Sequence, residues 1–349
     1  MLEALELKNF RNFETAEFDL RGSSVVFRGA NGRGKTSILE AIYFVSTLRS
    51  FRTSRTRELK RIGSKELKVQ LTLERSSGLK TNLRIEDDGD GRRLFLSGNP
   101  IYRASEFADQ FKCVAFLPDD PVIVTGSPVG RRRFLDMFLC LLDREYFLAL
   151  QKYASALKSR NYLLKTECRD TNLLSAYAAI LAESGALIVN RRIGILAELE
   201  TRIIRILTEL RPELSEMKLL SRHSPETLER DSFFRKLEET LEKDRERFAT
   251  MTGPHVDDFD LLCSRKLLRN YGSRGQCRLV SLALKLAELE MASESGSGIV
   301  VLADDATADL DRKARDSFLT ALRSAEQVFY AFTDLPDDEL FRSSRIIDL

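Results

Sequence analysis

The chain has 349 residues, 43% of them hydrophobic, which is enough to fill the core of one large domain or two ordinary ones. Its net charge is only +2 although 31% of the residues are charged, so any nucleic-acid binding has to come from local patches and not from an overall field. Five scattered cysteines without a C-x-x-C pair argue against a disulfide framework or a zinc knuckle, and no apolar run approaches the roughly 20 uncharged residues of a membrane span, so we expect a cytoplasmic protein with no membrane partner.

The first chemical motif along the chain is a phosphate-binding loop. A β-prone run at residues 23–27 leads through Arg28 into a stretch that follows the pattern G-x-x-x-x-G-K-[ST] in full. Glycines suit this loop because backbone N–H groups must close around phosphate oxygens, and the following helix adds its positive N-terminal end. The residues expected to bind the nucleotide are Gly29, Ala30, Asn31, Gly32, Arg33, Gly34, Lys35, Thr36 and Ser37. Lys35 should reach the β- and γ-phosphates of ATP, and the Thr36 hydroxyl should be a ligand of Mg²⁺.

A basic run follows the helix of the phosphate loop. It contains a single acid, Glu58, among the cations Arg49, Arg52, Arg55, Arg57, Lys60 and Arg61. We predict that this run binds DNA phosphates. The alternative is a solvated charged face, which is the commoner meaning of such a run. A second group, residues 131–133, either contacts DNA as well or pairs with acids of its own lobe.

The hydrophobic pattern predicts an α/β protein with a helical insertion. Alternation from Leu67 to Leu73 and a turn at residues 87–91 indicate a β-rich N-terminal part. Long helical runs follow from about residue 131 to 210, and the charged stretch 226–247 continues them. Apolar runs at 299–302, 328–332 and 346–347, separated by helices, then indicate parallel strands. We therefore expect one domain from residues 1–130 and 250–349, interrupted by an α-helical lobe at 131–249.

Two adjacent carboxylates end the apolar strand that begins near residue 300. On their own, Asp304 and Asp305 are as consistent with a solvated turn as with a site. Together with the phosphate loop, they predict that Asp304 holds Mg²⁺ and that Asp305 orients or deprotonates the attacking water. The expected catalytic set is therefore Lys35, Asp304 and Asp305.

A glycine-containing helix start precedes this strand. The sequence Gly272-Ser273-Arg274-Gly275-Gln276 opens a helix over residues 277–292 and resembles the signature loop of the ABC ATPases. In that class the loop binds the γ-phosphate of ATP held by the other subunit. Ser273, Gly275 and Gln276 are therefore expected nucleotide contacts, and the predicted fold is an α/β P-loop ABC-type ATPase head with a helical second lobe.

Taken over nearly its whole length, the chain resembles the bacterial RecF family of DNA-repair and replication ATPases, which are related to the SMC proteins. The similar segments are Phe10–Phe13, Leu48–Thr53, Gly126–Pro128, Arg131–Asp136, Ala156–Asn161, Gly253–Asp258 and the signature at Ser273. The resemblance implies an ATP-dependent clamp of recombinational repair that dimerises on ATP, binds DNA at single-strand gaps with RecO and RecR, and releases it on slow hydrolysis.

The chain also departs from the family pattern. Val256 stands where arginine is usual, Ala308 where serine is usual and Asp309 where glutamate is usual. The segment equivalent to the glutamine loop falls at residues 117–120, which contain no glutamine. His255, which precedes Asp257 and Asp258, is either part of a further cluster near the nucleotide or a structural hydrogen-bonding residue.

Two other classes of ATPase share the phosphate loop and the signature. The motor subunit of an ABC transporter would carry the same ATP site, but the long helical insertion before the signature fits such a subunit poorly. A nuclease of the overcoming-lysogenisation type would add a metal-dependent nuclease domain, for which we expect no room after Leu349.

Overall fold

A computed structural model of the chain describes residues 1–53, 55–75, 77–223, 229–296, 298–306, 310–334 and 341–349. These residues form two compact units. The first combines Met1–Asp119 with Leu289–Leu349, and the second is Asp120–Glu288. Because the first unit is assembled from both ends of the chain, the phosphate loop and Asp304 belong to the same unit.

Strands and helices are numbered in chain order. The strands are β1 (Leu2–Phe10), β2 (Phe13–Asp19), β3 (Ser24–Arg28), β4 (Leu67–Glu74), β5 (Lys80–Asp87), β6 (Arg92–Leu96), β7 (Asn99–Ile101), β8 (Lys112–Phe116), β9 (Met217–Arg222), β10 (Asp258–Cys263), β11 (Lys266–Leu267), β12 (Ile299–Asp304), β13 (Gln327–Phe332) and β14 (Arg345–Asp348). The helices are α1 (Lys35–Thr47), α2 (Ala104–Ala108), α3 (Val122–Thr125), α4 (Pro128–Leu142), α5 (Arg144–Lys165), α6 (Thr171–Leu210), α7 (Arg230–Glu239), α8 (Leu241–Arg247), α9 (Leu268–Tyr271), α10 (Arg274–Glu294) and α11 (Arg312–Ala321).

The first unit contains two sheets of different kinds. One is antiparallel, with the order β2-β1-β4-β5-β6-β7, and the other is parallel, with the order β14-β3-β13-β12-β8. The alternation predicted for residues 67–73 is confirmed, because the apolar residues of β4 are buried and the polar residues between them are partly exposed. In β12 every residue is buried, as expected of a parallel strand covered on both faces.

The parallel sheet brings the ends of three strands together. Its neighbours β3, β13 and β12 run in the same direction, so their carboxyl ends lie at one edge. The phosphate loop follows β3, Thr333 follows β13, and Asp304 ends β12. Ligands of open α/β sheets bind at this kind of edge. The sheet topology therefore joins parts of the site that are far apart in the sequence.

The second unit is mostly helical and has a small sheet of its own. Its longest helix, α6, has 40 residues and packs against α5 and α7. Strands β11, β10 and β9 form an antiparallel sheet of three strands. The predicted long helices at residues 131–210 correspond to α4, α5 and α6.

The second unit is larger than the helical lobe expected at residues 131–249. It begins at Asp120 and ends at Glu288, because β10 pairs with β9 along six residues and so draws residues 258–263 into this unit. The charged stretch at 226–247, predicted to continue the helices, contains α7 and α8, whereas β9, between residues 210 and 226, was not predicted. A strand of six residues is hard to detect from sequence, because it has few apolar residues to show a period.

Helix α6 has the length and composition of a membrane-spanning helix, although the sequence alone led us to expect none. Half of its most apolar window is buried within the protein. The side chain of Arg192, on the same helix, is buried and bonds to residues of other elements. These contacts are those of a core helix in the second unit.

Candidate functional site

The phosphate loop leads into α1 without a side-chain cap. Gly34 is the N-cap residue, with φ of +109°, and no side chain among the described residues caps the first N–H groups of the helix. Such N–H groups have no partner within a helix and are suited to binding an anion. The buried ammonium of Lys35 donates to the carbonyl oxygens of Gly29 at 2.6 Å and Ala30 at 3.2 Å. Since an ammonium carries three protons, one remains for a phosphate oxygen.

The turn between β1 and β2 forms a wall of this loop. The Asn12 amide donates to the carbonyl oxygen of Arg33 at 3.3 Å. A Cβ atom at Gly34 would lie 2.5 Å from Cζ of Phe13. Arg11 donates through Nε and NH2 to the two carboxylate oxygens of Glu40, on α1, at 2.8 and 2.6 Å. Residues 10–13 thus support both the phosphate loop and the helix that follows it.

Asp304 and Thr36 form an oxygen-lined position beside the loop. The Thr36 hydroxyl donates to Oδ2 of Asp304 at 2.7 Å. Asp304 is only 5% exposed, so it is not part of a solvated turn. Burial raises the pKa of its carboxyl group, and the hydrogen bond from Thr36 opposes that rise. Its other oxygen, Oδ1, is buried and has no hydrogen-bond partner among the described residues. These oxygen donors suit Mg²⁺, so Thr36 and Asp304 are the residues that would hold the ion.

Asp305 turns away from the strand that Asp304 ends. Its φ is +43°, and its backbone N–H donates to the carbonyl oxygen of Ala331, on β13, at 3.1 Å. Burial raises the pKa of its carboxyl group, and the nearby charge of Lys35 opposes that rise. The change of backbone direction allows two successive carboxylates to lie at the same sheet edge.

Thr333 belongs to the site but was missed by sequence reasoning. Its hydroxyl donates to Oδ1 of Asn31, in the phosphate loop, at 3.1 Å. It comes directly after the buried strand β13. A polar residue at the end of an apolar run was the signal that could have identified it.

The signature loop is shaped by a reciprocal pair of hydrogen bonds. The Ser273 N–H donates to the side-chain oxygen of Gln276 at 2.8 Å, and the Gln276 N–H donates to the Ser273 hydroxyl at 3.2 Å. This is the capping-box arrangement of a helix N-terminus, here that of α10. The Ser273 hydroxyl accepts in this arrangement, so its proton is still available. A Cβ atom at Gly275 would meet nothing closer than 4.0 Å, and both Ser273 and Gly275 are exposed.

Most cations of the basic run already have acidic neighbours. Lys60 forms a largely buried pair with Asp87 at 2.6 Å. The other three pairs, at 3.2–3.6 Å, are Arg52 with Glu40, Arg55 with Glu58 and Arg61 with Glu14. Arg49 and Arg57 are exposed, and no described carboxylate forms an ion pair with either. Within the part of the chain that the structure describes, Arg49 and Arg57 are therefore the exposed cations of the run without an ionic partner.

Two of the segments that carry the family resemblance make buried polar contacts in the second unit. Arg131 donates to both carboxylate oxygens of Asp258 at 2.7 and 2.9 Å. Its charge thus pairs with an acid of the same unit, although Asp258 lies beyond the lobe boundary expected at residue 249. His255 bonds to the Tyr153 hydroxyl at 2.7 Å through Nδ1 and to the Thr250 carbonyl oxygen at 2.8 Å through Nε2. The structural interpretation of His255 is therefore confirmed.

The structure describes some of the positions at which the chain departs from the family pattern, and it also describes the segment expected to replace the glutamine loop. Val256 is exposed. Ala308 and Asp309 lie outside the described residues. Residues 117–120 follow β8, an edge strand of the parallel sheet.

Comparisons with known proteins agree with this architecture. A family model described as the RecF/RecN/SMC N terminal domain matches residues 1–334. The chain is 34% identical to a DNA replication and repair protein RecF of Symbiobacterium thermophilum, in an alignment of 351 positions that covers 96% of this chain and 92% of that protein. It is 31% identical to the protein of the same description from Lactobacillus johnsonii over 347 residues, with the same coverage.

Solved structures show the same relationship. The structure of a recombination mediator protein RecF with ATP, described as part of the RecFOR pathway, matches with a TM-score of 0.88 and 30% identity over 97% of this chain and 93% of that one. An SMC head bound to a winged-helix domain of ScpA matches with a TM-score of 0.53 and 17% identity, over 99% of this chain and 94% of that one. At that identity the second match shows a shared fold alone.

Proposed function

Since the chain belongs to the RecF family of DNA replication and repair proteins, we propose that it binds and hydrolyses ATP and uses the nucleotide to control its binding to DNA. The observation that carries the proposal is the hydrogen bond of 2.7 Å between Thr36 and Asp304. It joins the phosphate loop to the acidic strand end, as an ATPase site requires. The ATP-bound relative supports the choice of nucleotide.

Each residue of the edge has a chemical task in this proposal. The free N–H groups at the start of α1 bind phosphate oxygens, and Lys35 neutralises the β- and γ-phosphates. Mg²⁺, when bound, supplies further positive charge to the phosphates, and Thr36 and Asp304 provide its protein ligands. Asp305 orients the attacking water and accepts its proton.

We further propose that ATP joins two copies of the chain. Ser273 of one copy then donates to the γ-phosphate bound by Lys35 of the other. An exposed Ser273 with an available hydroxyl proton, beside the open space at Gly275, supports this role. Gln276 shapes the loop through its bonds to Ser273. Slow hydrolysis then removes the γ-phosphate and opens the dimer.

A mixing experiment tests the composite site. Ser273→Arg should leave ATP binding by the single chain intact and abolish ATP-induced dimerisation in sedimentation, because a bulky cation replaces a small donor. Lys35→Ala should lose ATP affinity in calorimetry. Mixed in equal amounts, the two variants form dimers with one intact site, so ATP turnover should reappear at about a quarter of the parental value for random pairing. Dimerisation by Ser273→Arg alone, or no recovery in a folded mixture, would contradict the in-trans contact.

We propose that the DNA site includes the basic run, and that the protein acts in the cytoplasm at single-strand gaps with RecO and RecR. The description of the ATP-bound relative as part of the RecFOR pathway supports these partners. Arg49 and Arg57 are the exposed cations of the run without an ionic partner among the described residues.

Salt dependence tests the DNA contacts. Arg49→Glu and Arg57→Glu should each weaken binding to gapped and duplex DNA of any sequence, and should reduce the slope of log K against log salt by about 0.9 per lost contact. Arg323→Glu is the matched control, since Arg323 is an exposed arginine outside the run that forms no ion pair among the described residues. Unchanged slopes would indicate that the run is a solvated charged face that does not contact DNA.

The transporter alternative is not favoured, because the relatives that match over the whole chain are replication and repair proteins.

A further inference from the structure

The signature loop rests on a very short helix. Helix α9 has four residues, Leu268–Tyr271, and ends at Gly272, directly before Ser273. A single helical turn is not stable by itself, so contacts with other elements must hold it in place. The position of Ser273 therefore depends on what anchors α9.

One anchor of α9 is apolar. Leu268 is buried, and its carbonyl oxygen accepts from the N–H of Gly272 at 2.8 Å and from the Cys277 thiol at 3.7 Å. A Cβ atom at Gly272 would lie 2.7 Å from Cδ2 of Leu268. These contacts link the end of α9 to the start of α10 and so enclose the signature loop.

The other anchor is ionic and lies on β10. The guanidinium of Arg269 is 3.0 Å from Oδ1 of Asp260, whose side chain is 1% exposed. It also lies 3.8 Å from Oδ2 of Asp258. Two further arginines share these carboxylates: Arg222 pairs with Asp260, and Arg131 pairs with Asp258. Arg269 is thus the cation that connects the signature segment to this buried acidic strand.

We propose that Arg269 and Asp260 are positioning residues for the in-trans γ-phosphate contact: their ion pair holds α9 on β10 and thereby places the Ser273 hydroxyl. The proposal rests on the composite site described above. Neither residue touches ATP. Their effect reaches the nucleotide of the partner copy through the backbone of α9 and Gly272. A displacement of the Ser273 hydroxyl by about 1 Å can lower the rate of ATP hydrolysis as much as 100-fold.

The local charges make Arg269 the better residue to replace. Three arginines face two aspartates here, so Arg269→Gln leaves each aspartate with one guanidinium, from Arg131 or Arg222. Asp260→Asn would instead leave the cations in excess around a buried amide, with a greater risk to folding. Arg265 lies in the turn of the β10–β11 hairpin, just before α9. It is exposed and forms no ion pair among the described residues, so Arg265→Gln is a matched loss of one charge.

Arg269→Gln should bind ATP as the parent protein does, because the phosphate loop is in the other unit. Its rate of ATP turnover and its association constant for the ATP-induced dimer should each fall by about 10-fold to 100-fold. Arg269→Lys should restore part of both losses. Arg265→Gln should keep parental turnover. The circular dichroism spectrum and the unfolding midpoint report whether each variant is folded.

The mixing pattern separates a role in the signature from a general structural role. Arg269→Gln mixed with Lys35→Ala should recover turnover, because the defects lie on opposite sides of the composite site. Arg269→Gln mixed with Ser273→Arg should recover none, because both defects lie on the signature side. Two results would overturn the inference while the composite site stands. One is parental turnover of Arg269→Gln by itself. The other is that Arg269→Gln recovers turnover when mixed with Ser273→Arg but not when mixed with Lys35→Ala.

The mixture of Ser273→Arg with Lys35→Ala tests the composite site separately. If this mixture does not recover turnover, the composite site itself is wrong, and the inference falls with it.

Discussion

Replacing Gly34 with alanine tests whether the β1–β2 turn shapes the phosphate loop. The φ of Gly34 is +109°, and the new Cβ atom would lie 2.5 Å from Cζ of Phe13 and 2.8 Å from Nδ2 of Asn12. The backbone conformation costs an L residue about 1–2 kcal/mol, and the overlap adds about 1–3 kcal/mol. Moving the N–H groups of the loop away from the phosphate positions relieves both costs, whereas a shift of the Phe13 ring relieves only the overlap.

The expected loss of ATP affinity follows from these figures. A cost of at least about 2 kcal/mol corresponds to a Kd raised about 30-fold or more. Isothermal titration calorimetry with ATP measures it, and thermal unfolding shows whether the fold is retained. Phe13→Leu in the Gly34→Ala background removes the outer ring atoms, so it should recover part of the affinity but not the backbone cost.

Gly63→Ala is the matched control for backbone strain alone. Gly63 has φ of +86°, and its added Cβ atom would meet nothing within 4 Å. That variant should lose some stability and keep the parental Kd for ATP. If Gly34→Ala also keeps the parental Kd, the turn does not shape the loop. If Phe13→Leu recovers no affinity in a folded double variant, crowding by Phe13 is not the cause.

Three further predictions concern hydrolysis, stability and pH. Asp305→Asn should still bind ATP, with phosphate release at least about 100-fold slower because the general base is lost; parental turnover would place the base elsewhere. Asp244→Asn should destabilise the second unit by about 3–5 kcal/mol in urea unfolding, because Arg160, 1% exposed, loses its carboxylate. Glu183→Gln, in the exposed pair with Lys152, is the control and should leave the unfolding midpoint nearly unchanged. Burial lowers the pKa of His255 from 6.5, so as the pH falls below 6.5 the unfolded chain takes up a proton that the folded chain does not, and stability should fall. His255→Gln should flatten that slope, and an unchanged slope would assign it to other groups.

Local patterns in the sequence were sufficient for the elements whose signals are contiguous. The phosphate loop, α1 and the apolar strands β12 and β13 could be predicted because a short motif or run contains all the information that they need. The fold class followed from the alternation of those runs with helices. The basic run was also visible, but its composition did not show that Lys60 and Asp87 form a largely buried pair.

Only the tertiary structure decided which distant residues meet. The hydrogen bond between Thr36 and Asp304 joins positions 268 apart, and the contact of Thr333 with Asn31 spans 302. The antiparallel pairing of β9 with β10 likewise assigned residues 258–263 to the second unit, and no local period marks that pairing. The physical reason is that secondary-structure signals arise from neighbours along the chain. Strand order and packing, which no single segment encodes, decide where a sheet edge forms a site, which residues pair, as Arg269 does with Asp260, and where a unit ends.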